Sequence, residues 1–319
     1  MGFLKNLFGN GDEKFIEIVR ANDNGEEWAQ RELQRMWQSN DSTLLPRIHR
    51  ARVVIYKDAA MRGDRDAIIK YARGLEWLGR EHEALEWYMK LINQGDTDAM
   101  LELASDYTEF GGMGENDNER FKWIKQAAEA GNDEGQYKMS LEYGAKGDNI
   151  NANIWAEKSA AQGNIEGKRM YADVLNNEMF YLTVYENGDN VDEYTQFLLN
   201  KYGINSPQDC ASTKQGIYSK AEQLYIDYLN EGNDEAYLSM VHRSLARLYL
   251  NPPKNTFAQS PYLAAYFYYM DYYNFDTDDS FEKLKKIVRD FNLNVSNETL
   301  SAWQNVSIYD WAQQNGIEL

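Results

Sequence analysis

Glycine followed by aspartate or asparagine recurs at a nearly constant interval along part of the chain. The intervals from 63 to 95, 95 to 131 and 131 to 163 are 32, 36 and 32 residues. Between consecutive pairs of this kind, which we call marks, lie two stretches with the apolar spacing of an α-helix. A fixed period of this length is typical of stacked helical repeats, so it predicts an all-α chain built from helix pairs. The marks are Gly63-Asp64, Gly95-Asp96, Gly131-Asn132 and Gly163-Asn164.

The stretch from Gly131 to Gly163 explains why the mark repeats. Asn132 or Asp133 can cap a helix, because their side chains accept hydrogen bonds from unpaired backbone N–H groups. Gly163 can end the second helix in the left-handed conformation that glycine adopts at low cost, and the next cap residue follows at once. Helices approach closely only where side chains are small, and three units keep a small residue at the matching position: Ala99, Gly135 and Gly167.

The full pattern is G-[ND]-x-[DE]-[AG]-x-x-x-[LM], then Tyr, Gly and W-x-x-x-A-A-x-x-G. It resembles the Sel1-like repeat, a relative of the tetratricopeptide repeat. Gly95 to Gly131 and Gly131 to Gly163 carry it, whereas Gly63 to Gly95 is closer to a tetratricopeptide unit. The resemblance implies a right-handed α-solenoid of stacked antiparallel helix pairs with N- and C-terminal capping helices, since end repeats need a cover.

The chain departs from the repeat after Leu175, where the expected second helix is replaced by an atypical segment. Ser206-Pro207 begins another helix with proline at its first position, and Asn251-Pro252-Pro253 ends a later one. We therefore expect five parts: an N-terminal helical cap (1–62), repeats (63–175), an atypical helical segment (176–231), a degenerate repeat (232–275) and C-terminal capping helices (276–319).

The charge balance narrows the classes of partner. The 33 basic and 51 acidic residues give a formal net charge of −18. Such a surface repels phosphate backbones and anionic lipid, so we expect neither nucleic-acid nor membrane binding. It can attract a basic partner. The alternative is that the charge serves solubility alone.

Cysteine content and hydropathy indicate a cytoplasmic protein. Cys210 is the only cysteine, so an intrachain disulfide and a Cys-rich metal site are impossible. The apolar run in Met1 to Gly11 is too short and too interrupted for a signal peptide. Tyr262 to Tyr273 is too short to span a bilayer and contains Asp271.

Catalytic patterns are missing from the sequence. His49, His82 and His242 do not stand at the spacing of metal ligands, and the sequence has no G-x-S-x-G, P-loop or G-x-G-x-x-G. Gly111-Gly112-Met113-Gly114 joins two predicted helices, so we interpret it as the inter-helix loop of the repeat. We expect no catalytic residue, no metal and no cofactor.

By the resemblance, the first helix of each pair lines the concave side of a solenoid. Positions between the buried stripes of those helices would then face a groove that suits a protein or peptide, in particular one carrying Lys or Arg. The alternative is a solvated face without a ligand. The predicted partner-binding residues are Arg73, Glu76, Trp77, Asp98, Leu101, Ser105, Glu134, Tyr137, Leu141, Glu166, Arg169 and Asp173.

One later helix, Pro261 to Phe275, is unusually aromatic. Tyr262, Tyr266, Tyr269 and Tyr273 share one face, while Phe267 and Met270 lie on another. A helix that is apolar on two faces is usually buried between neighbours. The alternative is a recognition face, because tyrosine is enriched in binding hot spots.

The leading hypothesis is a non-catalytic protein–protein interaction module, a bacterial cytoplasmic adaptor or regulator that holds a protein or peptide in its groove. A second hypothesis is an immunity or inhibitor protein that neutralises a basic toxin. A third is a hydrolase, since the resemblance includes Sel1-like proteins linked to hydrolytic or penicillin-binding activity, although those examples tend to be rich in disulfides. A fourth is a structural oligomer that associates through the aromatic helix. The sequence leaves the oligomeric state open.

Overall fold

A computed structural model describes five stretches of the chain, and every regular element in them is a helix. The prediction of an all-α fold of helix pairs is therefore confirmed. The chain divides into two compact units, Met1–Gly135 (unit 1) and Gln136–Leu319 (unit 2). The N-terminal run Met1 to Gly11 lies outside the described residues. These residues are 12–39, 41–108, 111–189, 191–253 and 259–319.

Unit 1 consists of short helices joined by tight turns. Its first three helices fall where the sequence predicts the N-terminal cap. The eighth helix begins in unit 1 and ends in unit 2. The helices are α1 (Asp12–Asp23), α2 (Glu27–Gln38), α3 (Leu44–Met61), α4 (Arg65–Glu76), α5 (Glu81–Ile92), α6 (Thr97–Asp106), α7 (Asp117–Glu129) and α8 (Asp133–Ala145).

The repeated mark acts as a combined helix stop and helix start. Gly95 has a φ of 87°, a left-handed conformation that L side chains rarely adopt. The carboxylate of Asp96 then accepts a hydrogen bond from the backbone N–H of Ala99 at 2.9 Å. Asp64, Asn132 and Asn164 cap the following helices in the same way. The cap of α8 is therefore Asn132, the first of the two residues that the sequence allowed.

The apolar stripes of unit 1 are buried as the periodicity predicts. Tyr71 and Leu75 of α4 and Leu103 of α6 are buried. Nearer the N-terminus, Phe15 of α1 joins a cluster with Leu44 of α3. This burial accounts for the packing of α3 on α4, α4 on α5 and α6 on α7.

Unit 2 contains longer helices. Two of them, α10 and α12, have 22 residues each. A short 3₁₀ turn, Pro207–Asp209, leads directly into α12, where the sequence predicts a proline-initiated helix. The helices are α9 (Asn149–Ala161), α10 (Ile165–Glu186), α11 (Glu193–Tyr202), α12 (Cys210–Glu231), α13 (Glu235–Leu250), α14 (Pro261–Phe275), α15 (Asp278–Asp290), α16 (Asn297–Trp303) and α17 (Ile308–Asn315).

The α10 helix differs from our expectation that the repeat's first helix ends at Leu175. It continues without a break to Glu186, and Gly188 follows in the left-handed conformation. Its second half carries no glycine or proline, and Met179 and Leu182 are buried there. The apolar face therefore continues past the repeat boundary, and the helix follows it.

Small residues permit the close helix contacts that the sequence predicts. A Cβ atom added at Gly167 of α10 would lie 2.2 Å from the Ser159 Oγ and 3.0 Å from the Ala160 backbone nitrogen of α9. A Cβ atom at Gly135 would lie 2.9 Å from the Ala128 backbone nitrogen of α7. Neither position has room for a larger side chain.

The aromatic helix α14 belongs mainly to the core of unit 2. Phe267 and Tyr269 are buried, and Tyr266 packs against the same cluster. Trp303 of α16 meets Tyr266 edge to face, with 5.8 Å between ring centroids. Tyr273 is exposed at the end of the helix. Of the two interpretations of this helix, core packing is the one that these contacts favour. Within the described ranges, no helix combines the length and the apolar composition needed to cross a bilayer.

Candidate partner-binding surface

Helices α4 and α6 lie side by side in unit 1. Arg65, at the start of α4, donates from Nε to Asp96 Oδ2 at 2.6 Å and from Nη2 to Asp98 Oδ2 at 3.4 Å. Two turns later, Arg73 donates to the carboxylate of Glu102. Because both ends of α4 pair with matching ends of α6, the two helices run parallel.

Asn132 extends this arrangement to the start of α8. Its amide Nδ2 donates to Asp98 Oδ1 at 2.8 Å and to Thr97 Oγ1 at 2.9 Å. Its Oδ1 accepts from the Gly135 N–H and so caps α8. The N-terminal ends of three consecutive first helices are therefore linked by side chains within unit 1.

Trp77 follows the last turn of α4 and is 41% exposed. Its ring stacks on the imidazole of His49, with 5.0 Å between centroids and 14° between planes. His49 is buried, and burial, assisted by the charge of Arg52, lowers its pKa to about 4. The imidazole is therefore neutral near pH 7, and the stack holds the indole in one orientation without adding a charge.

The accessible predicted residues of helices α4 and α6 define the α4–α6 face: Arg73, Trp77, Asp98, Leu101 and Ser105. Ser105 is exposed, Leu101 is half-buried, and the side chain of Asp98 is 68% exposed. The ion pairs of the face join two arginines, Arg65 and Arg73, to four carboxylates. The face therefore combines an aromatic anchor with an excess of negative charge.

Glu76 does not belong to this accessible face, contrary to the sequence prediction. It is 2% exposed, and Gly112 packs so closely that an added Cβ atom would lie 2.5 Å from the Glu76 Cβ. Burial, and then the neighbouring charge of Asp106, raises the pKa of Glu76 to about 9. The glycine-rich loop between α6 and α7 covers this carboxyl and keeps it protonated near pH 7.

Tyr137 and Arg169, also predicted to face a groove, are buried in unit 2. The Arg169 guanidinium lies 4.0 Å above the ring of Tyr237 and pairs with Glu166 and Asp173, at 3.1 Å each. The prediction that these two residues face an open groove is therefore wrong. Tyr237 of α13 interacts with both of them, and helical phase gave no sign of this contact.

The other predicted residues of this region are partly accessible. Glu166 accepts a hydrogen bond from Tyr228 Oη at 2.7 Å, and Asp173 accepts one from Tyr225 Oη at 2.6 Å. The polar row of α10 is therefore part of its packing against α12. Leu141 is exposed and Glu134 is half-buried. A role in partner binding stays a prediction for these four residues.

Three residues that complete the α4–α6 face are missing from the sequence prediction. Glu102 lies one helical turn after Asp98, so helical phase alone contained the signal for it. Asn132 was identified only as a cap. His49 belongs to α3, and no local pattern connects it with Trp77.

Apart from His49, the cysteine and histidine residues do not belong to the α4–α6 face. Cys210 is buried, and burial raises the pKa of its thiol, which disfavours the reactive thiolate. His242 is buried, and burial lowers its pKa to about 4. His82 is exposed. Among the described residues, no three His, Cys, Asp or Glu side chains are grouped so that they could hold a metal ion.

Two solved structures that are similar to this chain are proteins with Sel1-like repeats. A protective antigen present in uropathogenic Escherichia coli strains, which displays an SLR fold, is 18% identical over 95% of this chain, with a TM-score of 0.49. This chain spans 58% of the length of that protein. A Sel1 repeat protein from Oxalobacter formigenes is 14% identical over 94% of this chain and 89% of its own, with a TM-score of 0.42. No protein-family model and no curated protein matches the sequence.

Proposed function

We propose that this chain is a non-catalytic protein-interaction module that holds a protein or peptide partner on the α4–α6 face. The observation that supports this proposal is the stacked, 41% exposed indole of Trp77. A large aromatic ring that is already fixed in orientation loses little conformational freedom when a partner covers it. A tryptophan that becomes buried when a partner binds often contributes the largest share of the binding energy.

The charge of the α4–α6 face favours a basic partner segment. Asp66 and Asp98 have side chains that are 78% and 68% exposed, and Glu102 is 35% exposed. The whole chain adds a net charge of −18. A lysine- or arginine-containing segment would be attracted to this face and would meet carboxylates on the same two helices that present the indole.

The experiment is a pull-down with the intact chain, followed by affinity measurements on the recovered partner. Trp77→Ala and Leu101→Arg should each weaken binding at least about tenfold, which is the effect of removing a hot-spot residue. Trp37→Ala is the matched control, because Trp37 is a more exposed tryptophan (58%) on α2. Equal affinity of the Trp77→Ala variant and the native chain would reject the α4–α6 face.

A cytoplasmic adaptor or regulator is the role that we propose for the module. The single cysteine supports it, since a chain without disulfides suits a reducing compartment. Fractionation of cells that express the chain would test this location. Recovery from an oxidising compartment would contradict it.

An inhibitor of a basic toxin is a second candidate, and the charge of −18 is the observation that favours it. Such a pair should associate quickly at low ionic strength and much more slowly at high ionic strength. Coexpression with the toxin should then restore growth. An affinity that is constant between about 50 and 500 mM salt would remove electrostatic attraction as the basis of binding.

A further inference from the structure

Unit 2 contains a cavity of about 860 Å³ between α10 and the second half of α13. One face of α10 lines it with Asn176, Met179 and Phe180, which lie beyond the point where the repeat's first helix was expected to end. From α13, Arg247 and Leu250 line the opposite side. The continuation of α10 therefore builds one wall of this cavity.

Phe180 is the most unusual residue of this wall. Its side chain is 63% exposed, although it stands on a well-formed helix beside buried Met179. Apolar surface left in water is unfavourable, so a ligand that covers this ring gains free energy. Pro252 and Pro253, which end α13 and also line the cavity, add apolar surface without a backbone N–H.

Three side-chain amides line the cavity, and each donates one hydrogen bond to a neighbouring protein group. Asn176 donates to Tyr225 Oη at 2.8 Å, Asn251 donates to the Arg247 carbonyl at 3.1 Å, and Gln259 donates to the Leu250 carbonyl at 2.8 Å. Within the part of the chain that the structure describes, their amide oxygens have no partner. An amide oxygen and a second N–H together match the donor and acceptor of a peptide bond.

Arg247 and Asp173 are the two charged residues among the described residues that line the cavity. The Asp173 carboxylate already accepts hydrogen bonds from Tyr225 and Arg169. Arg247 is exposed, and among the described residues its guanidinium forms no hydrogen bond or close ion pair. Its charge adds to the hydrogen bond from Lys283 that lowers the pKa of the Asp279 carboxylate. The charge available to a ligand is therefore positive, and a carboxylate matches its planar donor geometry.

We infer that this cavity is a second binding site, for an extended peptide segment that carries a carboxylate. Its apolar side chain packs on Phe180, its backbone bonds to the side-chain amides, and its carboxylate pairs with Arg247. The carboxylate comes from an Asp or Glu side chain or from the end of a polypeptide. This site goes beyond the proposed function, because the α4–α6 face of unit 1 is acidic and favours basic segments.

The test uses the intact chain and two phage libraries of random dodecapeptides, one displayed with a free C-terminus and one displayed internally. We expect enriched peptides that contain an aromatic or aliphatic residue and an Asp or Glu. If the carboxylate is terminal, only the first library yields binders. Binding of the synthetic peptides is then measured by fluorescence anisotropy.

Two variants decide whether the peptides occupy the cavity. Phe180→Ala should weaken binding at least tenfold, whereas Phe291→Ala, which removes another exposed phenylalanine of unit 2, should not. Arg247→Glu should abolish binding and restore it for peptides in which Lys replaces the acidic residue. Trp77→Ala should have no effect, which separates this site from the α4–α6 face.

Both variants change exposed side chains, and unchanged helical circular dichroism verifies their folding. The inference is overturned if neither library yields a binder. It is also overturned if the enriched peptides lack carboxylates, or if they bind the Phe180→Ala and Arg247→Glu variants as tightly as the native chain.

Discussion

Unit 1 and unit 2 differ in where the polar side chains that link their neighbouring helices lie. In unit 1 the links between first helices, such as Arg65 with Asp96 and Arg73 with Glu102, lie at the surface. In unit 2 a fully buried carboxylate, Glu178, accepts hydrogen bonds from Asn153, Lys201 and Tyr202. The first helices α4 and α6 leave their linking side chains accessible, whereas α9, α10 and α11 enclose theirs around Glu178.

The difference between the units follows from whether another helix covers the polar side of the first helix of a pair. Regular turns at the Gly-Asp and Gly-Asn marks place α4 and α6 in parallel, and their outer face stays accessible. In unit 2, α12 lies along α10, and its Tyr225 and Tyr228 bond to the polar row of α10. Unit 1 therefore offers a surface, and unit 2 offers a cavity where α10 and α13 separate.

The largest expected effect on stability comes from the buried hydrogen bonds around Glu178 in unit 2. Glu178→Ala should lower the free energy of unfolding by about 3–5 kcal/mol, because it leaves the ammonium of Lys201 without its buried carboxylate partner. Urea denaturation at pH 7 measures the change. Arg65→Ala, which removes a surface pair of unit 1, should cost at most about 1 kcal/mol. Equal losses for the two variants would contradict the contrast between the units.

The helix contacts of unit 2 provide a second test. Gly167→Ala should destabilise the chain by about 1–3 kcal/mol, because its Cβ would overlap Ser159 and approach the backbone of α9. Gly216→Ala on α12 meets no atom within 4 Å, so it should stabilise the chain by up to about 1 kcal/mol. The melting temperatures of both variants give the comparison. A neutral Gly167→Ala variant would mean that α9 and α10 do not touch as described.

The third test concerns pH and unit 1. The pKa of Glu76 is raised to about 9, above its ordinary value of 4.5. The native state therefore keeps a proton that the unfolded chain releases, so stability is lost as pH rises from about 4.5 towards 9. Glu76→Gln should remove this loss and stabilise the chain at pH 8 by at least about 1 kcal/mol, the worth of roughly one pKa unit.

The control for this variant is Glu83→Gln. Glu83 is an exposed carboxylate whose pKa is lowered by its hydrogen bond with Arg80. Melting temperatures at pH 5 and pH 8 should diverge for Glu76→Gln and the native chain, but not for Glu83→Gln and the native chain. A Glu76→Gln variant that melts at the native temperature at both pH values would show that this carboxyl is not buried in neutral form.

Local chemistry made the repeated part of the fold predictable. The marks at Gly95-Asp96 and its equivalents carry their own physical reason, a left-handed stop and a side-chain cap, and both are present. The accessible residues Trp77 and Asp98 followed from helical phase. Helical phase reports which side of a helix is polar, and in unit 1 that side is open.

The remaining features depend on contacts that are distant in sequence. Arg169 is buried because Tyr237 covers it, and the covering helix begins about 66 residues later. Glu76 is buried because a loop from the next repeat folds over it. The cavity beside Phe180 arises from the continuation of α10 and the proline stop of α13. None of these consequences has a signal in a single local pattern.

The most direct measurement for the central claim is hydroxyl-radical footprinting of the intact chain with its recovered partner. The α4–α6 face should be covered in the complex, so Trp77 and Leu101 should lose labelling, while exposed Trp37 keeps its rate. If Trp77 is labelled equally fast in the free chain and in the complex, the partner binds elsewhere and the α4–α6 face is not the binding surface.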